Sequence, residues 1–215
     1  MDEFRVNTIY GDSQQTVWVG TLPAGLLRWD DDQRQFSVYQ HRPEDRHSLS
    51  SNAVSSLLQD RSGLLWVGTL SDGVSRADMN NRVFERLIPR DVNPEMRNAS
   101  NYTLAIAGDG GGRLWMTSTN GLSLFDPLAR KFIQHFRHDP KQPGSLSNNL
   151  IYSLYQAPDG PLWLGTPSGL NRLDQKSGRF QLTRFDEPAS NFISQIAPGR
   201  GGILWLGTGG VVIRY

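Results

Sequence analysis

Short hydrophobic runs alternate with polar positions and break at glycines along the whole 215-residue chain. The period is that of strands, not helices. One string recurs five times: Val17-Trp18-Val19-Gly20-Thr21, Leu65-Trp66-Val67-Gly68-Thr69, Leu114-Trp115-Met116-Thr117-Ser118, Leu162-Trp163-Leu164-Gly165-Thr166 and Leu204-Trp205-Leu206-Gly207-Thr208. The tryptophans are 48, 49, 48 and 42 residues apart, and Trp29 alone stands outside the series. The flanks keep step. An aliphatic residue lies nine positions before each tryptophan, at Ile9, Leu57, Ile106, Leu154 and Ile196. Asn52, Asn101, Asn149 and Asn191 lie fourteen before, with Phe4 the exception. Glycine lies three before at Gly63, Gly112, Gly160 and Gly202, with Gln15 the exception. Asp30, Asp78, Asp126 and Asp174 each follow a second glycine by five residues.

Each copy reads as four strands: one carrying the aliphatics, the tryptophan strand, a third such as Leu122-Ser123-Leu124-Phe125-Asp126, and a fourth holding aromatics such as Phe36, Phe84, Phe132 and Phe180. Turns such as Asp60-Arg61-Ser62-Gly63 separate them, and longer loops around Pro43, Pro94, Pro143 and Pro188 link the copies. A period of roughly 40–50 residues with four strands per unit predicts an all-β fold, a β-propeller of four-stranded antiparallel blades. The blades fall at approximately 4–40, 51–88, 100–137, 148–186 and 190–215 of a single domain spanning 1–215. The last copy stops at its third strand, Val211-Val212-Ile213-Arg214-Tyr215, so the expectation is a piece of a larger propeller. The repeated tryptophans, Trp18, Trp66, Trp115, Trp163 and Trp205, are expected to be structural and to pack between neighbouring blades. Burying one such ring removes about 150–250 Å² from water.

Composition narrows the function. Net charge is +1 with no polybasic run, which argues against a nucleic-acid partner. No apolar run reaches membrane-spanning length, so no direct membrane contact is expected of this segment, and no signal peptide opens it. Cysteine is absent, which excludes disulfides and thiolate chemistry.

Candidate chemistry is sparse. His41, His47, His135 and His138 follow two of the fourth strands and read as loop residues more than metal ligands. Asp30-Asp31-Asp32 lacks the spacing of a calcium loop and reads as a solvated turn. Gly108-Asp109-Gly110-Gly111-Gly112 is followed by a strand, which favours a hairpin turn over a phosphate cradle. Arg28, Arg76 and Arg172 share one repeat position, broken by Leu124 and Ile213. They are candidate ligand-binding residues for an anionic sugar. The plainer reading pairs them with carboxylates of their own blade. No nucleophile elbow is present, so no catalytic residue, cofactor or metal is assigned. The long polar loops 40–51, 88–100 and 137–148 are the places best able to carry a ligand site.

The repeat resembles that of the two-component regulator propeller family, approximately N-x-V-x-x-I-x-x-D-x-x-G-x-L-W-x-G-T-x-x-G-L-x-x-x-D. Copy two matches at Asn52, Val54, Leu57, Asp60, Gly63, Leu65, Trp66, Gly68, Thr69, Gly73 and Asp78, and the lead-in Ser48-Leu49-Ser50-Ser51 returns as Ser145-Leu146-Ser147-Asn148. Departures are Gln15, Thr117-Ser118, Ala157, Gly199 and Tyr215. The resemblance implies the periplasmic or extracytoplasmic sensor region of a bacterial signalling protein. Such a protein would carry a histidine kinase, often hybrid, or a diguanylate cyclase as output. None of those output motifs occurs here. The expected function is thus a non-catalytic propeller segment that binds a small molecule or oligosaccharide. The alternatives are an interaction scaffold that forms a homodimer through the propeller or an exposed blade edge, and a carbohydrate-active propeller enzyme such as a lyase.

Overall fold

The computed structural model describes residues 4–78, 83–87, 102–158 and 160–215. Strands dominate. The first sheet holds β1 (Arg5–Gly11), β2 (Val17–Leu22), β3 (Leu26–Asp30) and β4 (Gln35–Tyr39). The second holds β5 (Val54–Gln59), β6 (Leu65–Thr69), β7 (Val74–Asp78) and β8 (Val83–Leu87). The third holds β9 (Ile106–Gly108), β10 (Leu114–Ser118), β11 (Gly121–Asp126) and β12 (Lys131–Phe136). The fourth holds β13 (Ser153–Gln156), β14 (Leu162–Thr166), β15 (Gly169–Asp174) and β16 (Arg179–Thr183). The fifth has three strands, β17 (Gln195–Pro198), β18 (Leu204–Gly207) and β19 (Val212–Arg214). In every sheet each strand pairs with its sequence neighbours, the up-and-down blade of a β-propeller.

The repeat residues explain why each blade forms. Asp12 and Asp60 tie the first turn of a blade to its tryptophan. Oδ1 accepts from the backbone N–H of Thr16 (2.9 Å) or Leu64 (3.1 Å), and Oδ2 accepts from the indole Nε1–H of Trp18 (2.9 Å) or Trp66 (2.7 Å). The glycine of that turn takes a left-handed conformation, φ 86° at Gly63, and Gln15 adopts φ 64° in the first blade without being glycine. The glycine after each tryptophan has a different reason. A Cβ on Gly20, Gly68 or Gly165 would overlap the side chain of Thr8, Ser56 or Ser153, each ten residues before the blade's tryptophan. In the third blade the bulk is exchanged: Thr117 replaces the glycine and Ala105 stands at the position of Thr8, Ser56 and Ser153.

The chain divides into two compact units, Met1–Ile106 and Ala107–Tyr215. In the first unit, Trp18 and Leu26 share a core with Leu49, Val54, Leu57, Leu65 and Phe84, so the tryptophan of one blade packs on the next. The second unit repeats the arrangement. Trp115, Leu122 and Leu124 pack with Ile151, Leu162, Leu164 and Phe180, and Trp163 packs on the cluster of Ile193, Ile196 and Leu206. Closing aromatics follow the same rule, with Tyr39 edge-on to Phe84 at 5.7 Å and Phe136 edge-on to Phe180 at 5.4 Å. The series is not uniform in burial. Trp18, Trp66 and Trp115 are at most 1 % exposed, whereas Trp205 is 44 % exposed.

Candidate functional site

The arginine series has a structural cause. Strand pairing sets Arg28 opposite Trp18, Arg76 opposite Trp66 and Arg172 opposite Trp163. Each guanidinium lies over its partner's indole, 5.8, 5.6 and 5.8 Å from the ring centroid. The same register puts Arg214 opposite Trp205, where counting back from the aspartate position had pointed to Ile213. In the third blade Leu124 takes the place, opposite Trp115.

The three arginines then differ. Arg76 forms an ion pair with Glu85, its cross-strand neighbour on β8. Arg28 faces Ser37, and its buried Nε has no hydrogen-bond partner. Arg172 faces Gln181 and is exposed. It lines an open cleft of roughly 690 Å³ in the second unit, with Lys176, Gln156, Gln175, Asp109 and Asp174. That volume falls in the range of small-molecule sites, about 300–1,000 Å³. Gln175 donates from Nε2 to Gln156 Oε1 at 2.9 Å along the cleft wall. Set over the Trp163 indole, the Arg172 guanidinium offers a fork suited to a carboxylate, with the Lys176 ammonium as a second cation. As a ligand-binding residue the sequence had singled out Arg172 alone of this group, with Asp174 read as a repeat position and Asp109 as part of a hairpin turn. The residues after the aspartates of this turn vary, Asp31-Asp32, Pro127-Leu128 and Gln175-Lys176, so no repeat signal marks Lys176.

The two carboxylates of the cleft are held ionised. Burial pushes Asp109 up, but the amides of Arg113 and Gly111 and the Arg113 guanidinium outweigh it and bring the carboxyl below its usual range. Arg113 Nε donates to Asp109 Oδ2 at 2.6 Å, which leaves the buried Trp115 Nε1 with no acceptor, unlike Trp18. Asp174 is lowered by the hydroxyl of Ser177 and the amide of Lys176. Its Oδ1 accepts from Lys176 N–H at 3.0 Å. Asp30 caps the equivalent turn through Asp32 and Gln33, so the acidic run is a turn, and Gly108–Gly112 is the hairpin turn around Asp109.

The histidines are more than loop residues. His41 donates its backbone N–H to Asn52 Oδ1 at 2.6 Å and its Nδ1–H to the Leu49 carbonyl at 2.8 Å. His138 does the same with Asn149 (2.7 Å) and Leu146 (2.6 Å). These braces hold loops 40–51 and 137–148, which also accept a hydrogen bond from the next blade, Phe84 N–H to the His47 carbonyl and Phe180 N–H to the Gly144 carbonyl. In the fifth blade Phe185 N–H meets Asn191 Oδ1 at 2.8 Å in the same way. The shared offset from His41 to Asn52 and from His138 to Asn149 is visible in the sequence and is the signal that marks the brace. His135 Nδ1 lies 2.8 Å from Ser123 Oγ. Loop 88–100 lies outside the described residues. Among the described residues no group of histidines and carboxylates could hold a metal ion, and no helix is long and apolar enough to cross a membrane.

Comparison with known proteins agrees with the repeat. Residues 48–71 and 145–168 match the family described as two component regulator propeller, so the chain carries that repeat. No curated protein is matched by the chain. Among solved structures it is similar to the extracellular domain of a putative hybrid two component system from B. thetaiotaomicron, at 25 % identity and a TM-score of 0.79, over 95 % of this chain and 26 % of that one. It is also similar to the extracellular domain of a putative one component system from the same organism, at 19 % identity and a TM-score of 0.79, over 100 % of this chain and 30 % of that one. A streptogramin B lyase shares the fold at 14 % identity and a TM-score of 0.67, over 98 % of this chain and 68 % of the lyase. The chain thus spans between a quarter and a third of the two extracellular domains.

Proposed function

We propose that this chain is a non-catalytic segment of the sensor propeller of a signal-transduction protein, acting outside the cytoplasm and passing ligand state to an output domain elsewhere. The observation that carries the reading is the two component regulator propeller repeat, combined with a likeness over 95 % of the chain to an extracellular domain of such a system. The cleft at Arg172 supports a ligand role: two cations, two ionised carboxylates and two amides converge on a concave surface. The ligand class that fits is an acidic oligosaccharide, its carboxylate on Arg172 and its hydroxyls on Gln156, Gln175 and Asp174.

Thermal-shift titration tests this with neutral mono- and disaccharides beside acidic oligosaccharides. Acidic oligosaccharides are expected to raise the melting temperature. Arg172→Gln should weaken them at least tenfold, about 1.4 kcal/mol, while Arg28→Gln leaves binding intact. No shift with any saccharide, together with a dimer in light scattering, would favour the scaffold. Release of product from a polysaccharide by the purified chain would replace the sensor with a carbohydrate-active enzyme.

A further inference from the structure

Two loops of the same build receive different side chains. In loop 40–51, Asp45 N–H donates to the Arg42 carbonyl and Ser48 N–H to the Asp45 carbonyl, both at 3.1 Å. In loop 137–148, Gln142 N–H donates to the Asp139 carbonyl and Ser145 N–H to the Gln142 carbonyl, again both at 3.1 Å. The serines close the two turns alike. Ser48 Oγ donates to the Arg42 carbonyl at 3.0 Å, and Ser145 Oγ to the Asp139 carbonyl at 2.7 Å. Arg42, Asp45 and Ser48 of one turn thus correspond to Asp139, Gln142 and Ser145 of the other.

In the first unit a guanidinium fills the turn. Arg86 on β8 donates from Nη2 to the carbonyls of Asp45 (2.7 Å) and Arg42 (3.2 Å) and to Ser48 Oγ (2.8 Å), and from Nε to the Ser48 carbonyl (3.2 Å). A group that carries only donors matches a cluster of acceptors. In the second unit the place of Arg86 is taken by Leu182 on β16. Register fixes the match. Arg86 pairs with Ser75, whose Oγ accepts from Ser50 N–H at 3.0 Å, and Leu182 pairs with Asn171, whose Oδ1 accepts from Ser147 N–H at 3.0 Å. Leucine is shorter than arginine and has no donor. An open cavity of about 330 Å³ lies at this turn, lined by Asp139, Gln142, Ser145, Phe180, Leu182 and Arg184 among others. Arg179, at the start of the same strand, donates to the Pro143 carbonyl instead, at 3.2 Å.

We propose that this cavity binds a guanidinium group borne by a ligand, seated on the carbonyls of Asp139, Gln142 and Ser145 as Arg86 is seated on those of Arg42, Asp45 and Ser48. The alkyl chain that carries the guanidinium rests on Leu182 and Phe180. Asp139 also puts a carboxylate where the first loop has Arg42, which favours a cation. Arg184 opposes it and holds the affinity down. The cavity shares no lining residue with the Arg172 cleft and prefers the opposite charge, so this inference goes beyond the sensor reading and stands apart from an acidic saccharide.

Nuclear magnetic resonance titration of the isotopically labelled chain with millimolar butylguanidinium chloride tests the proposal, with butylurea as the neutral isostere. The amides of Gln142 and Ser145 should shift with butylguanidinium, and butylurea should bind at least tenfold more weakly. Leu182→Arg, at an exposed position, supplies the guanidinium from the chain itself. It should weaken butylguanidinium at least tenfold and raise the melting temperature. Acetyl-Gly-Arg-Gly-amide separates two sources of the same group: tighter binding than butylguanidinium marks the arginine of a peptide, weaker binding a free small molecule. Unmoved amides at Gln142 and Ser145 would overturn the proposal, as would equal binding of butylurea. So would undiminished binding to a folded Leu182→Arg variant, or shifts that arise only in Arg184→Gln, which would make Arg184 itself the occupant.

Discussion

At the scale of the residue, the turn position three before the tryptophan takes a left-handed backbone, and departure from glycine there shows the cost. Gln15 holds φ 64° where Gly63 holds φ 86°. A side chain with a Cβ loses roughly 1–2 kcal/mol in that region. Gln15→Gly is therefore expected to stabilise the first unit by about 1 kcal/mol, read as a rise in the denaturation midpoint with an unchanged m-value. A lower midpoint would show that the side chain of Gln15 does more than its backbone costs. The requirement for glycine here was legible from Gly63, Gly112, Gly160 and Gly202 at one offset. The orientation of the arginines was not. Counting residues placed Ile213 in their series, but strand register puts Arg214 opposite Trp205, because pairing fixes what a side chain faces. Nor could spacing reveal that Arg113 takes the carboxylate of Asp109 away from Trp115.

At the scale of the strand pair, bulk is shared between two positions. Gly68 leaves room for Ser56, and the third blade solves the same problem with Thr117 and Ala105. Gly68→Ala should destabilise by about 1–3 kcal/mol, the usual cost of overpacking. Adding Ser56→Ala should recover at least half of that loss, since the colliding hydroxyl is gone. Equal midpoints for the single and double variants in urea would show that Thr103 and Ile106, which lie 3.1 and 3.3 Å from the added carbon, set the limit instead. The strands themselves were legible, because alternation, tryptophan spacing and turn glycines all agree. The loops between blades were read as loops, although the shared offset from His41 to Asn52 and from His138 to Asn149 marked half of each brace. The other half ends on the backbone carbonyl of Leu49 or Leu146, an atom that every residue type carries.

At the scale of the whole molecule, acid acts on the second unit through its two lowered carboxylates. Asp109 and Asp174 both titrate below the ordinary aspartate value of about 3.9. The stability they contribute is present above that value and lost as pH falls through their folded-state values. The melting temperature should hold from pH 7 to about 5 and fall below about 4, and Asp109→Asn should show a lower plateau with a shallower fall. Parallel pH curves for the two proteins would remove Asp109 from the account. The sheet topology has a kinetic meaning as well. Every strand pairs only with its predecessor and successor, so a blade needs no partner from a distant part of the chain. Hairpins close in about 1–10 μs, while a ribosome adding about 5–20 residues per second takes on the order of 2–10 s to extend the chain by one repeat. Each blade can therefore complete its hydrogen-bonded ladder before the next leaves the ribosome. Its exposed tryptophan then becomes the template on which the following blade docks, so assembly runs in the direction of synthesis.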